Sequence, residues 1–337
     1  MQARGFYGRT APAAACAALL LTLITSHSAL AALDEDQCEF LREKVERATA
    51  GTTILVPTGT FTCREPIVLN RDGITLRGTT RDASILRLAD NANAPLVVIG
   101  NIESPPAPVR NVTVSDLTLD GNMEHQQIEC WGGACGGGGK SEIRNNGISV
   151  RGAFDARVEN VRAFHARSGG LVTERGTRRL IVKNFEAYDN FFDGLAGYDT
   201  EESEFTNLYL HDNHYAGISV DQHFSRNKFA DALVTKNGDV GIYARYGEEN
   251  QFLRLVVQEN GSHGIYLAHD GGLDSCATRY RFDNTDVLNN KGFGLWFNDA
   301  VCPGTTFVNS RFYDNASGCH YVAEGGQVEF TNTACRK

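Results

Sequence analysis

Charged and phenolic side chains recur at one position of a repeated pattern in the middle of the sequence. Counting from a glycine that returns about every 23 residues, the fourth residue is in turn Arg151, Glu174, Tyr198, Asp221 and Arg245. An arginine that neutralises a uronic sugar's carboxylate, with a base and an acid nearby, could remove the proton from C5 of that sugar. The pattern predicts His223, two residues after Asp221, as the base and Tyr198 as the acid. Arg151 and Arg245 are the candidates for the neutralising cation.

Glu174 and Asp221 also fit a second chemistry, the hydrolysis of a glycosidic bond by two carboxyl groups. An inverting glycoside hydrolase places these groups about 6.5–9.5 Å apart. If each repeat is one turn of a β-solenoid, the two residues are two turns apart, which is about 9.6 Å. A third alternative is a non-catalytic binding protein on a surface, which needs no titrating pair. The residues alone leave all three alternatives open.

The repeat that positions these residues predicts the fold. The spacings between successive glycines are 23, 24, 23, 24, 23 and 30 residues, and an asparagine precedes five of them by four residues. Short β-type segments at this period, without an amphipathic helix or a leucine-rich pattern, are typical of a parallel β-helix. We therefore predict an all-β protein, a right-handed single-stranded parallel β-helix with an internal asparagine ladder. The glycines are Gly147, Gly170, Gly194, Gly217, Gly241, Gly264 and Gly294, and the asparagines are Asn190, Asn213, Asn237, Asn260 and Asn290.

Side chains alternate along each short strand, which predicts an inner and an outer set. The outer set includes Tyr243, Tyr266 and Trp296 in register, and a soluble β-helix has no folding reason to expose these rings. Rings beside charged groups are suited to binding a sugar chain, although a solvated face with incidental aromatic residues is the alternative. The predicted inner set is Ile148, Val150, Leu171, Thr173, Leu195, Ile218, Val220, Ile242, Ala244, Ile265, Leu267, Leu295 and Phe297.

Two phrases resemble a known family. DLTLDGN (116–122) and AYDNFFDGLAGY (187–198) are similar to the catalytic module of the mannuronan C5-epimerases, relatives of the pectate-lyase-like β-helix enzymes. The resemblance covers about residues 109–270 and places the family's active-site aspartate on Asp193. The family's Tyr-Gly-Phe-Asp-Pro-His string would fall at SGGLVTER (168–175), where Glu174 and Arg175 stand instead.

The resemblance implies a polysaccharide-handling β-helix whose substrate contains uronate, as alginate does, and whose reaction is that of a lyase or a C5-epimerase. It adds Arg175 to the substrate-binding candidates and raises Ca²⁺ as a cofactor. The sequence itself shows no cofactor motif and no metal site.

The N-terminus predicts export and the domain organisation. Arg4 and Arg9 precede an apolar run (11–24) and a small-residue cleavage site that ends at Ala31, so residues 1–31 read as a signal peptide of a secreted or periplasmic protein. The apolar run is too short for a membrane span. Residues 32–50 have helical spacing and predict a cap, 51–337 predict the β-helix, and 123–143 a glycine-rich insertion.

Cysteine usage and charge restrict the partners. Eight cysteines lie outside the predicted signal peptide, and an even number in an exported protein suggests disulfides between neighbours in the sequence. The formal net charge of −9 disfavours nucleic acid and anionic membranes as partners, and leaves the oligomeric state open. The local pairs are Cys38 with Cys63, Cys130 with Cys135, Cys276 with Cys302 and Cys319 with Cys335.

Overall fold

Stacked short strands form nearly all of the structure, a computed structural model that describes residues 36–102, 107–126, 145–269, 276–298, 302 and 304–337. Every pairing between successive coils is parallel, and the element order repeats along the chain. The predicted parallel β-helix is therefore confirmed.

A ten-stranded sheet, called here the short-strand sheet, carries one strand from each coil. Because the chain returns to it after each full turn, residues one repeat apart become neighbours across the sheet. Its strands in spatial order are Ile67–Leu69, Val97–Gly100, Ile148–Arg151, Leu171–Glu174, Leu195–Gly197, Ile218–Val220, Ile242–Ala244, Ile265–Leu267, Phe293–Phe297 and Gly318–Val322.

A sixteen-stranded sheet, the long-strand sheet, forms the opposing wall, and two small sheets lie at a bend. The long-strand sheet contains Thr53–Val56, Gly59–Cys63, Thr75–Gly78, Ser84–Leu88, Thr113–Asp120, Arg157–Phe164, Ile181–Tyr188, Glu204–His211, Lys228–Thr235, Gln251–Gln258, Arg281–Asp283, Asp286–Leu288, Thr305–Val308, Arg311–Tyr313, Val328–Thr331 and Ala334–Arg336. The small sheets contain Val109–Arg110, Ala153–Phe154, Thr177–Arg178 and Thr200–Glu201, and Gly247–Glu248 with Ala277–Thr278.

The core between these walls includes the predicted inner set, in which every side chain is buried. The long-strand sheet contributes a stack of phenylalanine rings, with centroids 4.6 Å apart between Phe205 and Phe229 and 5.0 Å between Phe229 and Phe252. The repeated glycine is required by close packing, because a Cβ on Gly217 would lie 2.3 Å from a methyl group of Val234. The repeat in the sequence therefore reflects contacts between coils.

The asparagines form the predicted internal ladder. Nδ2 of Asn213 donates to Oδ1 of Asn237 at 2.9 Å, and Nδ2 of Asn237 donates to Oδ1 of Asn260 at 3.0 Å. The same oxygens accept backbone N–H groups, as Asn237 does from Asn213 at 3.1 Å. These amides are buried and satisfy backbone groups at the turn that precedes each short strand.

A short helix, Glu39–Arg47, packs Leu41 and Val45 into the core beside the first strands. It confirms the predicted helical cap within narrower bounds than 32–50, of which residues up to 35 lie outside the described part. Its apolar residues recur at helical spacing, and the disulfide from Cys38 to Cys63 fixes its start to the first coil. Among the described residues no helix is long and apolar enough to cross a membrane.

Two further predicted disulfides, Cys276–Cys302 and Cys319–Cys335, are formed. Cys130 and Cys135 lie outside the described residues, as does the signal peptide predicted at 1–31. Of the glycine-rich insertion, only the turn Met123–His125 and Gln126 are described. Three disulfides fit an oxidising compartment.

Candidate functional site

A cleft of about 440 Å³ opens on the outer face of the short-strand sheet, over three neighbouring coils. Its lining combines carboxylates, one guanidinium group and aromatic rings. The lining residues are Phe192, Asp193, Tyr198, Tyr215, Ala216, Ser219, Asp221, Gln222, Asp239, Val240, Tyr243 and Arg245.

Three short strands position this lining: Leu195–Gly197, Ile218–Val220 and Ile242–Ala244. Ser219 and Tyr243 project outward from within them and are paired in register. Other lining residues stand immediately before or after the strands, where each coil bends. Because neighbouring coils are about 4.8 Å apart, residues distant in the chain meet in one cleft.

Asp221 and Arg245 form an ion pair across two coils. Nη2 of Arg245 lies 2.7 Å from Oδ2 of Asp221, and its Nε lies 3.3 Å from both carboxylate oxygens. The guanidinium also lies over the ring of Tyr246, 4.9 Å from its centroid. Asp221 is only 7% exposed, so the pair fixes the direction of the arginine fork in the cleft.

Asp193 occupies the turn before Leu195–Gly197 and is 9% exposed. Its Oδ1 accepts the backbone N–H of Ala216 on the next coil at 3.0 Å. Tyr198 follows the same strand at its other end, so the carboxylate and the phenol border one strand of the cleft wall at its two ends. The structure thus brings together five predicted residues: Asp193, Tyr198, Asp221, Tyr243 and Arg245.

An aromatic stripe, defined as Tyr243, Tyr266, Trp296 and Tyr321, continues from the cleft along the same face. Each member pairs in register with the next. The rings of Tyr243 and Tyr266 meet edge to face at 5.6 Å, and those of Trp296 and Tyr321 stack at 4.4 Å. Asn298 donates to the Tyr266 hydroxyl at 3.0 Å. Tyr243 belongs to both features and joins the stripe to the cleft.

His263 stacks on Trp296 of the aromatic stripe, with the ring centroids 4.8 Å apart. Its Nδ1 accepts the backbone N–H of Phe293 at 2.9 Å, which requires that nitrogen to be unprotonated. Burial lowers the pKa of His263 below its ordinary value. The imidazole is therefore neutral at neutral pH and acts as a packing group.

Arg151 departs from prediction. It was expected to face outward and bind substrate, yet it is 1% exposed and its Nε lies 3.3 Å from Glu174. Ser149 and Val172, in the neighbouring row of the same outer face, are also buried. Alternation along a strand decides which face a side chain takes, but exposure depends on what covers that face, and this end of the sheet is covered.

His223 is also misplaced by the sequence reasoning, because it is exposed and is not among the residues that line the cleft. Gln222 and His223 both adopt left-handed backbone, with φ of 46° and 66°. The chain therefore turns away directly after Asp221, and strand alternation stops applying. A role for His223 as the base is not supported by this position.

Glu174 and Arg175 lie at the covered end of the face, outside the residues that line the cleft. Glu174 is paired with Arg151, and Arg175 follows it in left-handed backbone with φ of 62°. The predicted carboxylate pair of Glu174 and Asp221 therefore consists of two groups that are each bound to an arginine, and only Asp221 lines the cleft.

Phe192, Tyr215 and Asp239 line the cleft but were not predicted. Each stands two residues before a repeated glycine, so their signal was a ladder in the turn rather than in the strand. Phe192 and Tyr215 are in contact, with ring centroids 5.1 Å apart. Tyr321 was also missed, because its coil departs from the glycine spacing.

Potential metal ligands seldom lie close together in the described part of the chain. There, one group of three potential ligands lies close together, His269 with Cys276 and Cys302, and its two sulfurs are joined in a disulfide. Ca²⁺ prefers six to eight oxygen ligands. In the described part of the chain, no three carboxylates lie close enough together to share one ion.

A second polar cluster lies away from the cleft, at the end of Thr113–Asp120. Nδ1 of His165 lies 3.4 Å from Oδ1 of Asp120. Nη1 of Arg87 lies 3.0 Å from Oδ2 of the same carboxylate. Burial alone would raise the pKa of Asp120, but hydrogen bonds from His165 and from the Asn122 N–H, with the charge of Arg87, lower it. The bond to Asp120 raises the pKa of His165. The cluster stabilises the coil edge.

The row of inward apolar residues, the asparagine ladder and the all-parallel pairing define a single architecture. Residues 146–278 match the family model of the right-handed β-helix region. The match includes all the coils that build the cleft. The right-handed sense of the predicted solenoid is that of this family.

Individual proteins agree with this. The mannuronan C5-epimerase AlgE4 of Azotobacter vinelandii is 24% identical over 187 residues, which are 52% of this chain and 32% of that protein. The chain thus matches about a third of the length of this curated relative. The resemblance to that family stated from the sequence is confirmed as a similarity.

Solved structures show the shared fold. The A-module of AlgE4 from Azotobacter vinelandii superposes with a TM-score of 0.66 at 18% identity, covering 79% of this chain and 70% of that one. The Dettilon tailspike protein superposes with a TM-score of 0.65 at 13% identity, covering 86% of this chain and 56% of that one. A mutant of the periplasmic alginate epimerase AlgG superposes with a TM-score of 0.55 at 12% identity, covering 85% of this chain and 84% of that one.

Proposed function

We propose that this protein binds a uronate-containing polysaccharide in the cleft and removes the C5 proton of one sugar, as a lyase or a C5-epimerase. The observation that carries the proposal is the fixed guanidinium of Arg245 in the same cleft as Asp193 and Tyr198. A cleft lined by apolar and aromatic side chains with a few convergent polar groups is the usual form of a ligand-binding site.

The chemistry assigns a role to each group. Arg245 neutralises the sugar carboxylate, which makes the C5–H bond acidic enough to break. The base takes the C5 proton, and the two electrons of the broken C5–H bond move into the carboxylate of the sugar. In a lyase these electrons then form the C4–C5 double bond as the O4 substituent leaves with a proton from the acid. In an epimerase a proton returns to the other face of C5 and no glycosidic bond breaks.

Asp193 and Tyr198 are the proposed base and acid, because they flank one strand of the cleft wall from opposite ends. A sugar lying between them would meet one group on each side, as the return of a proton to the opposite face of C5 requires in an epimerase. Asp221 acts as a positioning residue that orients Arg245. His223 and Glu174 are left out because neither lines the cleft.

Relatives and location support the same proposal. AlgE4 and AlgG, two of the similar proteins, are named as epimerases of mannuronan and alginate. The aromatic stripe offers rings to further sugar units. The described disulfides, and the apolar N-terminal run of the sequence, support a secreted or periplasmic location for the proposed activity.

Glycoside hydrolysis is a second candidate, favoured by the excess of carboxylates in the cleft. Asp193 and Asp239 line it together, in addition to the Asp221 carboxylate that is bound to Arg245. Two carboxyl groups flanking a glycosidic bond are the requirement for inverting hydrolysis. This pair replaces Glu174 and Asp221 as the candidate for that chemistry.

Incubation of the purified protein with a panel of uronate and neutral polysaccharides in deuterated buffer separates the reactions. Unsaturated ends that absorb ultraviolet light identify a lyase, deuterium at C5 without cleavage an epimerase, and new saturated reducing ends a hydrolase. Parallel reactions with EDTA or added Ca²⁺ test calcium dependence. Binding without any of these products would contradict the catalytic proposal and leave a polysaccharide-binding protein.

A further inference from the structure

One outer row of side chains on the short-strand sheet changes from buried to solvent-accessible along its length. Its members pair in register from coil to coil, so they form a single straight line. The members from Val98 to Ala196 are at most 4% exposed, whereas the following five are accessible to solvent, and Tyr321 at the far end is 41% exposed; Val68, in the first coil, is half-buried. In order the row reads Val68, Val98, Ser149, Val172, Ala196, Ser219, Tyr243, Tyr266, Trp296 and Tyr321.

The cleft lies where this row changes from buried to accessible. Ala196 belongs to the buried part, while Ser219 and Tyr243 line the cleft. Toward the N-terminus, from Ala196 back to Val98, a sugar ring would find no accessible surface on this row. On the C-terminal side it would find the aromatic stripe, which is continuous with the cleft through Tyr243.

We propose that the polysaccharide site is open at one end only: the chain terminates in the cleft and extends over the aromatic stripe toward the C-terminal coils. This inference rests on the proposed function and adds the mode of attack, which is on or next to the terminal sugar of a chain. A groove that was open at both ends would instead admit the middle of a polymer.

The length of the accessible row sets the number of sugar units bound. From Ser219 to Tyr321 there are four coil-to-coil steps, which at about 4.8 Å each give roughly 19 Å. A pyranose unit advances a chain by a distance similar to one such step. Affinity should therefore rise with chain length and level off at about four or five units.

The test uses 1,4-linked oligomannuronates of two to six units, each free, or attached to a bulky protein through the reducing end, or attached through the non-reducing end. Calorimetric titration of the full-length protein should show that one of the two conjugates binds like the free hexamer. The other should bind at least about tenfold more weakly. Equal binding of both conjugates, or no binding of the free hexamer, would overturn the proposal.

Two variants test whether the bound chain extends over the aromatic stripe toward the C-terminal coils. Tyr321→Ala should weaken binding of the hexamer by about threefold to tenfold, the scale of one aromatic contact, and leave the dimer unchanged. Tyr209→Ala, at 40% exposure on the long-strand sheet, is the matched control and should change neither. An equal loss for dimer and hexamer in Tyr321→Ala would also overturn the proposal.

Binding and turnover are measured on the same samples, which separates the two claims. If one conjugate binds and no product forms, the C5 chemistry is refuted and the site that is open at one end is retained. If product forms and both conjugates bind equally, the site that is open at one end is refuted and the C5 chemistry is retained.

Discussion

The asparagine ladder makes a quantitative prediction at Asn237, which is 1% exposed and lies in the middle of the ladder. Its amide makes four hydrogen bonds: two accepted from Asn213 and one donated each to the Leu210 carbonyl and to Asn260. Asn237→Ala removes all four. Two buried backbone groups, the Asn213 N–H and the Leu210 C=O, lose this partner.

An unsatisfied buried group costs about 1–3 kcal/mol, so Asn237→Ala should lower the free energy of unfolding by about 3–5 kcal/mol. Urea unfolding followed by circular dichroism measures this. Asn70→Ala is the control, since Asn70 is exposed and should change stability by less than about 0.5 kcal/mol. A loss below about 1 kcal/mol in Asn237→Ala would show that water or relaxation replaces the ladder, and would refute the reasoning.

Three further predictions concern the site and the coil edge. If the cleft is catalytic, Arg245→Lys should lower kcat by about 10²-fold with an unchanged melting temperature, because a lysine cannot keep the forked contact with Asp221; a tenfold change or less counts against it. Trp296→Ala should mainly raise KM, because stacking is shared between ground and transition states, and a selective fall in kcat would contradict this. The raised pKa of His165 adds stability that is present below pH 6.5 and lost as the pH rises through its folded pKa. This pH-dependent loss in melting temperature should be smaller in His165→Asn, and an unaltered pH profile would exclude the contribution of the pair with Asp120.

The solenoid could be predicted from the sequence because its signals are local. Alternation within three or four residues identified Ile218 and Val220 as core, and the glycine spacing gave the coil length. The asparagines identified the turn because a side-chain amide both donates and accepts along a stack. Each of these features depends on contacts between equivalent positions, which the repeat displays directly.

The site was predictable only in part, because it depends on the bends and on what covers the sheet. Asp221 and Arg245 were found since they follow strands directly, where alternation still holds. His223 was misjudged because left-handed backbone at a non-glycine residue has no signal in a single sequence. Arg151 was misjudged because burial on an outer face is decided by residues elsewhere in the chain.

The position of the cleft within the stack has a consequence for local opening. In a solenoid each coil is stabilised by its two neighbours, so fraying starts at the ends and propagates inward. The strands that carry the cleft are the fifth to seventh of ten in the short-strand sheet, with four coils before them and three after. Amide hydrogen exchange should therefore be slowest around the cleft, which stays formed while terminal coils open and close.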